Sequence, residues 1–165
     1  MTITACLSLG SNIGNRVGNI REAVRRLGSL GKVIAVSDFY ETEPVEVQSQ
    51  PWFINCAAML ETELSPEELL RALLEIEKQM GRVRTSDKGP RVIDIDILLI
   101  GGLVIDSPQL TVPHPAMQER RFVLQPLAEI APQARHPLLQ KTVSKLLQEL
   151  PEVGGQVRRL QEPRS

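Results

Sequence analysis

The stretch Gly89-Pro90-Arg91-Val92-Ile93-Asp94-Ile95-Asp96-Ile97-Leu98 governs how the rest of the chain is read. Ile93, Ile95, Ile97 and Leu99 alternate with Asp94 and Asp96. Successive side chains of a β-strand point to opposite faces, so this alternation predicts a strand over 92–100 with the isoleucines and Leu99 turned into the core and both carboxylates on the other side. A rise of about 3.3 Å per residue places the two Asp Cβ atoms about 6–7 Å apart. Carboxylates so placed repel each other unless a cation lies between them. Hard oxygen donors suit Mg²⁺, which is commonly held by one or two carboxylates plus substrate phosphates. The competing reading is a carboxylate ladder paired with Arg82, Arg84 and Arg91, which are near in sequence.

Upstream of this strand, Ser65-Pro66-Glu67-Glu68 is a helix start: Ser65 as N-cap, Pro66 at the first position, Glu68 closing a capping box. Leu69, Leu73, Ile76 and Met80 form its apolar stripe and Gly81 ends it. Ile3 to Leu9 reads as a strand ending at the turn signal Gly10-Ser11-Asn12, followed by a helix over about 15–30 with Val17, Ile20, Val24 and Leu27 on one face. Lys32 to Thr42 is β-like, Glu43 to Pro51 a loop, and Trp52 to Thr62 a long strand. The order strand, helix, strand, strand, helix, strand is the split βαβ arrangement, which predicts an antiparallel sheet with two helices on one face. Beyond it, Gly101-Gly102 reads as a hairpin turn with Leu103 to Asp106 returning, Thr111 to Leu124 as a loop with a short helix, and Thr142 to Leu150 as a last helix. Residues 1–150 read as one domain and 151–165 as a tail with room for one short strand.

Composition narrows the function classes. The 165 residues are 42% hydrophobic and 24% charged, which supports a packed core. Nineteen Lys and Arg against 20 Asp and Glu give a net charge of −1, so a strongly basic nucleic-acid binder is not expected. Aromatics are 3%, too few for a base-stacking surface. Cys6 and Cys56 lie in apolar runs and read as buried thiols; neither a zinc site nor a disulfide framework is expected. There is no basic leader segment, and the longest apolar run, Ile97 to Ile105, is too short to span a bilayer. A reduced, cytoplasmic, soluble protein is the expectation.

Four positive charges within ten residues, Arg82, Arg84, Lys88 and Arg91, precede the Asp pair. Alone they read as a solvated basic loop. Beside two candidate metal-binding carboxylates they suit a nucleotide polyphosphate, with metal on one side and guanidinium groups on the other. No Walker loop or protein-kinase motif set is present, and Gly10 to Gly14 reads as a tight turn. His114, between Pro113 and Pro115 and followed by Arg120 and Arg121, is either structural or a phosphate donor. His136 reads as structural. Phe53 and Asn55 share a strand face, where an aromatic plane beside an amide suits a flat heterocycle, unless the Asn bonds a neighbouring loop.

Together, Leu9 to Asn12, Ser37 to Thr42, Gln50 to Asn55, Gly81 to Arg84, Gly89 to Leu98, Leu110 to His114 and Arg120 to Phe122 resemble the 6-hydroxymethyl-7,8-dihydropterin pyrophosphokinase family of folate biosynthesis. The resemblance implies an α+β fold, a ferredoxin-like βαββαβ core within a three-layer α/β/α sandwich. It implies transfer of pyrophosphate from ATP to the pterin hydroxymethyl group, with release of AMP. By matched position, Asp94 and Asp96 hold two Mg²⁺ ions, and Arg82 and Arg91 neutralise the transferring group. Arg84, His114 and Arg120 match phosphate contacts; Glu77, Ile97, Leu110 and Thr111 match positions around the adenosine. Phe53 and Phe122 match the pterin sandwich, and Asn55 with the backbone of Thr42, Pro44 and Val45 matches its edge. Lys88 and Pro115 stand where aromatics are common in the family. ATP and a reduced pterin are the implied partners, with no nucleic acid or membrane, and a monomer is expected. The alternative is a catalytically silent pterin- or nucleotide-binding module of ferredoxin-like fold.

Overall fold

The apolar run at the start of the chain, Ile3–Ser11, forms strand β1 in the middle of a sheet. The structure is a computed structural model that describes residues 2–42, 52–81, 92–151 and 157–160. Helix α1 (Arg16–Leu27) follows, with Asn15 as N-cap accepting from the Gly18 N–H. Strands β2 (Lys32–Val36) and β3 (Tyr40–Thr42) both pair with β4 (Phe53–Thr62). They are one β segment interrupted at Ser37, whose N–H and hydroxyl both bond Ala57 of β4. Gly31 precedes β2 at a close approach: a Cβ there would lie 2.1 Å from the Glu61 carbonyl oxygen. Helix α2 (Pro66–Gln79) has the expected capping box, and β5 (Asp94–Ile100) completes the split βαβ order. All neighbours in the main sheet are antiparallel, as expected.

The sheet buries both faces. On one, Leu7, Leu9, Ile54, Ile95 and Ile97 pack with Ile20 and Leu27 of α1 and Leu69 and Leu73 of α2. On the other, Cys6, Ala57, Leu98 and Leu99 pack with Val123, Leu124 and Leu127 of α3 (Arg121–Ile130) and with Val143 and Leu146 of α4 (Val143–Gln148). This is the three-layer arrangement that the resemblance implies.

Three local expectations are corrected. Leu99 does not share a face with Ile93, Ile95 and Ile97. Ile97 pairs with Leu7 and Leu99 with Cys6, so β5 holds one extra residue and Leu99 turns to the α3 side. Leu103 to Asp106 does not return along β5: β6 (Ile105–Asp106) pairs instead with β7 (Thr111–Val112). The short helix expected within 111–124 is a single 3₁₀ turn, Met117–Glu119, and α3 follows from Arg121 to Ile130 with Pro126 inside it. An interior proline costs about 3 kcal/mol. Burying Val123, Leu124 and Leu127, at about 1.5–3 kcal/mol each, outweighs that cost. Unannounced by any turn dipeptide, β8 (Arg135–His136) and β9 (Lys141–Thr142) form a small hairpin. The third correction is that Gly10 and Ser11 continue β1 rather than turning; the left-handed turn residue is Gly14, at φ +70°. Finally, β10 (Val157–Arg159) joins the sheet edge beside β3.

Cys6 and Cys56 are free and buried, and burial pushes their thiols up to about 11 and about 12. No helix among the described residues is long and apolar enough to cross a membrane. His136 has the structural role expected of it. It is buried, and its Nδ1 accepts the Leu138 and Leu139 N–H groups at 3.2 and 3.1 Å. Burial lowers its pKa from the ordinary value. The folded pKa therefore lies below the unfolded value of about 6.5, so this group's contribution is complete above that pH and is lost as pH falls. Urea unfolding between pH 7 and pH 5 should show that loss. His136→Asn, whose Oδ1 replaces the accepting nitrogen, should flatten it.

Candidate active site

The register of three strands builds the site. Gly10 of β1 lies between Asn55 of β4 and Asp94 of β5, and Ser8 lies between Ala57 and Asp96. Tyr40 continues the first row, and Thr42 pairs with Phe53. Directly paired residues share a face, so Thr42, Phe53, Asn55, Gly10, Asp94 and Asp96 all project from the sheet face opposite α1 and α2. Helices α3 and α4 cover the Ala57 and Leu98 part of that face. Asp96 is exposed and Asp94, Phe53 and Phe122 are half-buried.

Gly10 is a site residue that sequence reading missed. A Cβ built on it would lie 2.7 Å from Asn55 Nδ2 and 3.6 Å from Phe53 Cδ1. The absent side chain is what lets the Asn55 amide lie across β1. The only sequence signal was the glycine itself, which reads equally well as a turn. Beside it are two buried polar atoms without a hydrogen-bond partner: Asn55 Oδ1 and Thr42 Oγ1. Their residues are 5% and 4% exposed. An orphaned buried polar atom costs about 1–3 kcal/mol, which a ligand presenting N–H donors would recover. Phe53 is on the same face of β4, and Phe122 lies in the first turn of α3, which packs over β4. The Arg120 guanidinium sits 5.7 Å from the Phe122 ring centroid.

At the other end, Asp94 and Asp96 share a face as the alternation predicted. Among the described residues no group of three or more His, Cys, Asp or Glu is placed to hold a metal. Two carboxylates alone fit a cation that completes its shell from phosphate and water, the habit of Mg²⁺. His114 is held against β5 by its N–H, which donates to the Leu98 carbonyl at 2.9 Å. Its Nδ1 accepts the Ala116 N–H at 3.2 Å, so the neutral ring carries its proton on Nε2. Burial lowers the His114 pKa, as does Arg120, against the raising influence of Asp96. Asp96 and Arg120 are thus both in electrostatic reach of His114.

The four positions matched to adenosine divide. Ile97 and Leu110 are core side chains, 5% and 7% exposed, and Thr111 is exposed on β7. Glu77 is 3% exposed, and its Oε2 accepts the Ile95 N–H at 2.7 Å. It therefore braces β5 at the residue between the two aspartates. Arg82, Arg84, Lys88, Arg91, Pro44 and Val45 lie outside the described residues.

A sequence profile of the 7,8-dihydro-6-hydroxymethylpterin-pyrophosphokinase (HPPK) family matches residues 6–132. The chain belongs to this family. It is 47% identical over 135 residues to the 2-amino-4-hydroxy-6-hydroxymethyldihydropteridine pyrophosphokinase of Bacillus subtilis, covering 81% of each chain. It is 42% identical over 157 residues to the folic acid synthesis protein FOL1 of Dictyostelium discoideum, covering 95% of this chain and 24% of that one. The chain thus spans about a quarter of the length of that relative, and 21% of the Schizosaccharomyces pombe protein fol1. Among solved structures, the HPPK-DHPS protein of Plasmodium falciparum superposes with a TM-score of 0.73 at 19% identity, covering 90% of this chain and 42% of that one. That likeness shows the HPPK fold.

The brace from α2 to β5 gives a stability expectation. Glu77→Ala leaves the buried Ile95 N–H without its acceptor and should cost about 1–3 kcal/mol in denaturant unfolding. Glu77→Gln retains an acceptor oxygen and should recover most of the loss.

Proposed function

We propose that the protein transfers the β,γ-pyrophosphoryl group of ATP to the hydroxymethyl group of 6-hydroxymethyl-7,8-dihydropterin, releasing AMP, in folate synthesis. The observation that carries the reading is the row across the sheet: unpartnered Asn55 Oδ1 and Thr42 Oγ1 on one side of Gly10, Asp94 and Asp96 on the other. One end suits the amino and ring N–H groups of a pterin, the other a metal-bound polyphosphate. The same activity is named for relatives that match this chain over most of their length.

In this reading Phe53 and Phe122 stack on the pterin ring, Asn55 and the segment of Thr42, Pro44 and Val45 read its edge, and the hydroxymethyl group is directed toward Asp94. Asp94 and Asp96 would hold Mg²⁺, two ions by the family resemblance, which would supply charge neutralisation at the phosphates. His114, through Nε2–H, and Arg120 donate to phosphate, joined by Arg84; Glu77, Ile97, Leu110 and Thr111 lie around the adenosine. Arg82 and Arg91 meet the group in transfer. The substrate oxygen bonds the β phosphorus, the bond from that phosphorus to the AMP oxygen breaks, and the hydroxyl proton passes to solvent. Catalysis is positioning and charge neutralisation.

Incubation with ATP, Mg²⁺ and the reduced pterin alcohol should yield AMP in step with a pyrophosphorylated pterin. Stoichiometric ADP would leave an ordinary kinase, and no nucleotide product a silent binding module. Asp94→Ala and Asp96→Ala should each abolish turnover without loss of fold. Arg82→Ala and Arg91→Ala should lower single-turnover rate by about 10³ while weakening ATP binding far less.

The two ends of the row should also separate by mutation. Gly10→Ala displaces the Asn55 amide, and Phe53→Ala or Phe122→Ala removes one stacking surface at about 0.5–1.5 kcal/mol beyond the lost area. Calorimetric titration should show weakened pterin binding and unchanged ATP binding for all three; equal loss of both ligands would point to misfolding.

A further inference from the structure

We propose that strand β10 is a strap that positions the heterocycle end of the site, with Arg158 and Arg159 as positioning residues. The inference rests on the pterin reading given above and deepens it. In the sheet order β10-β3-β4-β1-β5, β10 and the Asp94–Asp96 strand lie on opposite edges. Among the described residues β10 pairs with β3, a strand of three residues that ends at Thr42, whose Oγ1 is buried without a hydrogen-bond partner. So short a strand at a sheet edge depends on its neighbours for its position.

The two arginines grip β3 from opposite faces. Arg158 pairs with Glu41, and its Nε donates to Glu41 Oε1 at 3.0 Å. Its guanidinium also lies 4.9 Å from the Trp52 ring, the residue before Phe53. On that same face Arg16, at the start of α1, donates to Glu41 Oε2 at 3.3 Å and to the Trp52 carbonyl at 2.6 Å. Arg159 projects on the site face. Its Nη2 donates to Glu129 Oε1 at 3.1 Å and to the Tyr40 hydroxyl at 3.2 Å, and its Nε lies 3.2 Å from Asp38 Oδ2.

Glu129 is the node. It stands on α3, the helix that carries Phe122 in its first turn, and accepts the Tyr40 hydroxyl at 2.6 Å and the Asp38 N–H at 2.8 Å. Burial opposes its ionisation, but the Tyr40, Asp38 and Arg159 bonds more than offset that, so its carboxyl is held below the usual range. The chain of contacts runs from β10 through Glu129 to the helix carrying Phe122, and through Glu41 and Trp52 to the strand carrying Phe53. Thr42, Phe53 and Phe122 are therefore each set by an element that β10 holds. The strand lies beyond residues 6–132, which the family profile matches.

Single exposed ion pairs contribute little, and Arg158 and Arg159 side chains are 64% and 55% exposed. Their carboxylate partners Glu41 and Glu129 are 14% and 25% exposed, and each arginine has several partners, which favours a measurable effect. The rival reading is that β10 only covers a sheet edge against association. The full-length double variant Arg158→Ala/Arg159→Ala separates the two. Titrations with the reduced pterin alcohol and with Mg²⁺–ATP, alongside a thermal melt, are the measurements. The expected result is pterin binding weaker by about three- to tenfold, a raised KM for pterin with kcat little changed, and unchanged ATP affinity. The paired variant Arg158→Lys/Arg159→Lys, which keeps charge without the planar fork, should fall between. Unchanged pterin affinity in the double variant would overturn the inference alone. So would parallel losses of both ligands with a lowered melting temperature. Failure of the unaltered protein to bind the pterin would overturn the functional reading and this inference with it.

Discussion

Antiparallel pairing of β1 on both sides is the constraint from which the site follows. One register sets Gly10 between Asn55 and Asp94, and Ser8 between Ala57 and Asp96. Side chains alternate with period two, so a slip of one residue would exchange the faces. Asp94, Asp96 and Asn55 would then be driven among Leu9, Leu69 and Leu73, and the isoleucines of β5 would face outward. Burying two unpaired carboxylates costs far more than any local propensity returns. The apolar alternation of β5 and the position of the carboxylate pair are thus a single decision.

The same row explains how one face accommodates two chemistries. Asn55 and Asp94 are two strands apart, about 10 Å at normal strand spacing. Gly10 between them presents no side chain, so nothing from β1 rises between the Asn55 amide and the carboxylates. The Asn55 and Thr42 end is buried, with Asn55 Oδ1 and Thr42 Oγ1 lacking hydrogen-bond partners, whereas Asp96 is exposed. A neutral, planar ligand suits the first environment; a hydrated cation and polyphosphate suit the second.

Two helix carboxylates fasten strand backbone around this surface. Glu77 of α2 takes the Ile95 N–H and Glu129 of α3 takes the Asp38 N–H. Each meets a main-chain donor, one on the edge strand β5 and one in the break between β2 and β3, that would otherwise need another acceptor. One steadies the segment carrying the aspartates. The other steadies the segment leading into Tyr40 and Thr42, with Arg159 sharing the charge.

The sequence by itself determined what is local. The alternation over 93–97, the capping box at Ser65 and Glu68, and the order of strands and helices were legible because each depends on spacing along the chain. The aspartate pair and the Phe53–Asn55 face were legible for the same reason, and the order of the motifs carried the family. Tertiary structure alone decided which residues meet across strands. The extra residue that turns Leu99 away from Ile97 is a property of the β1–β5 pairing, not of either strand. Gly10 looked like a turn because only its neighbours on β4 reveal that a side chain there would displace the Asn55 amide. The bond from the Ile95 N–H to Glu77 joins groups 18 residues apart in sequence, which no spacing along the chain announces. The pairing of β10 with β3 joins segments more than a hundred residues apart. Spacing along a chain specifies a side chain's direction relative to its own element; which groups lie opposite it is set by long-range burial and hydrogen bonding, and no local pattern encodes that.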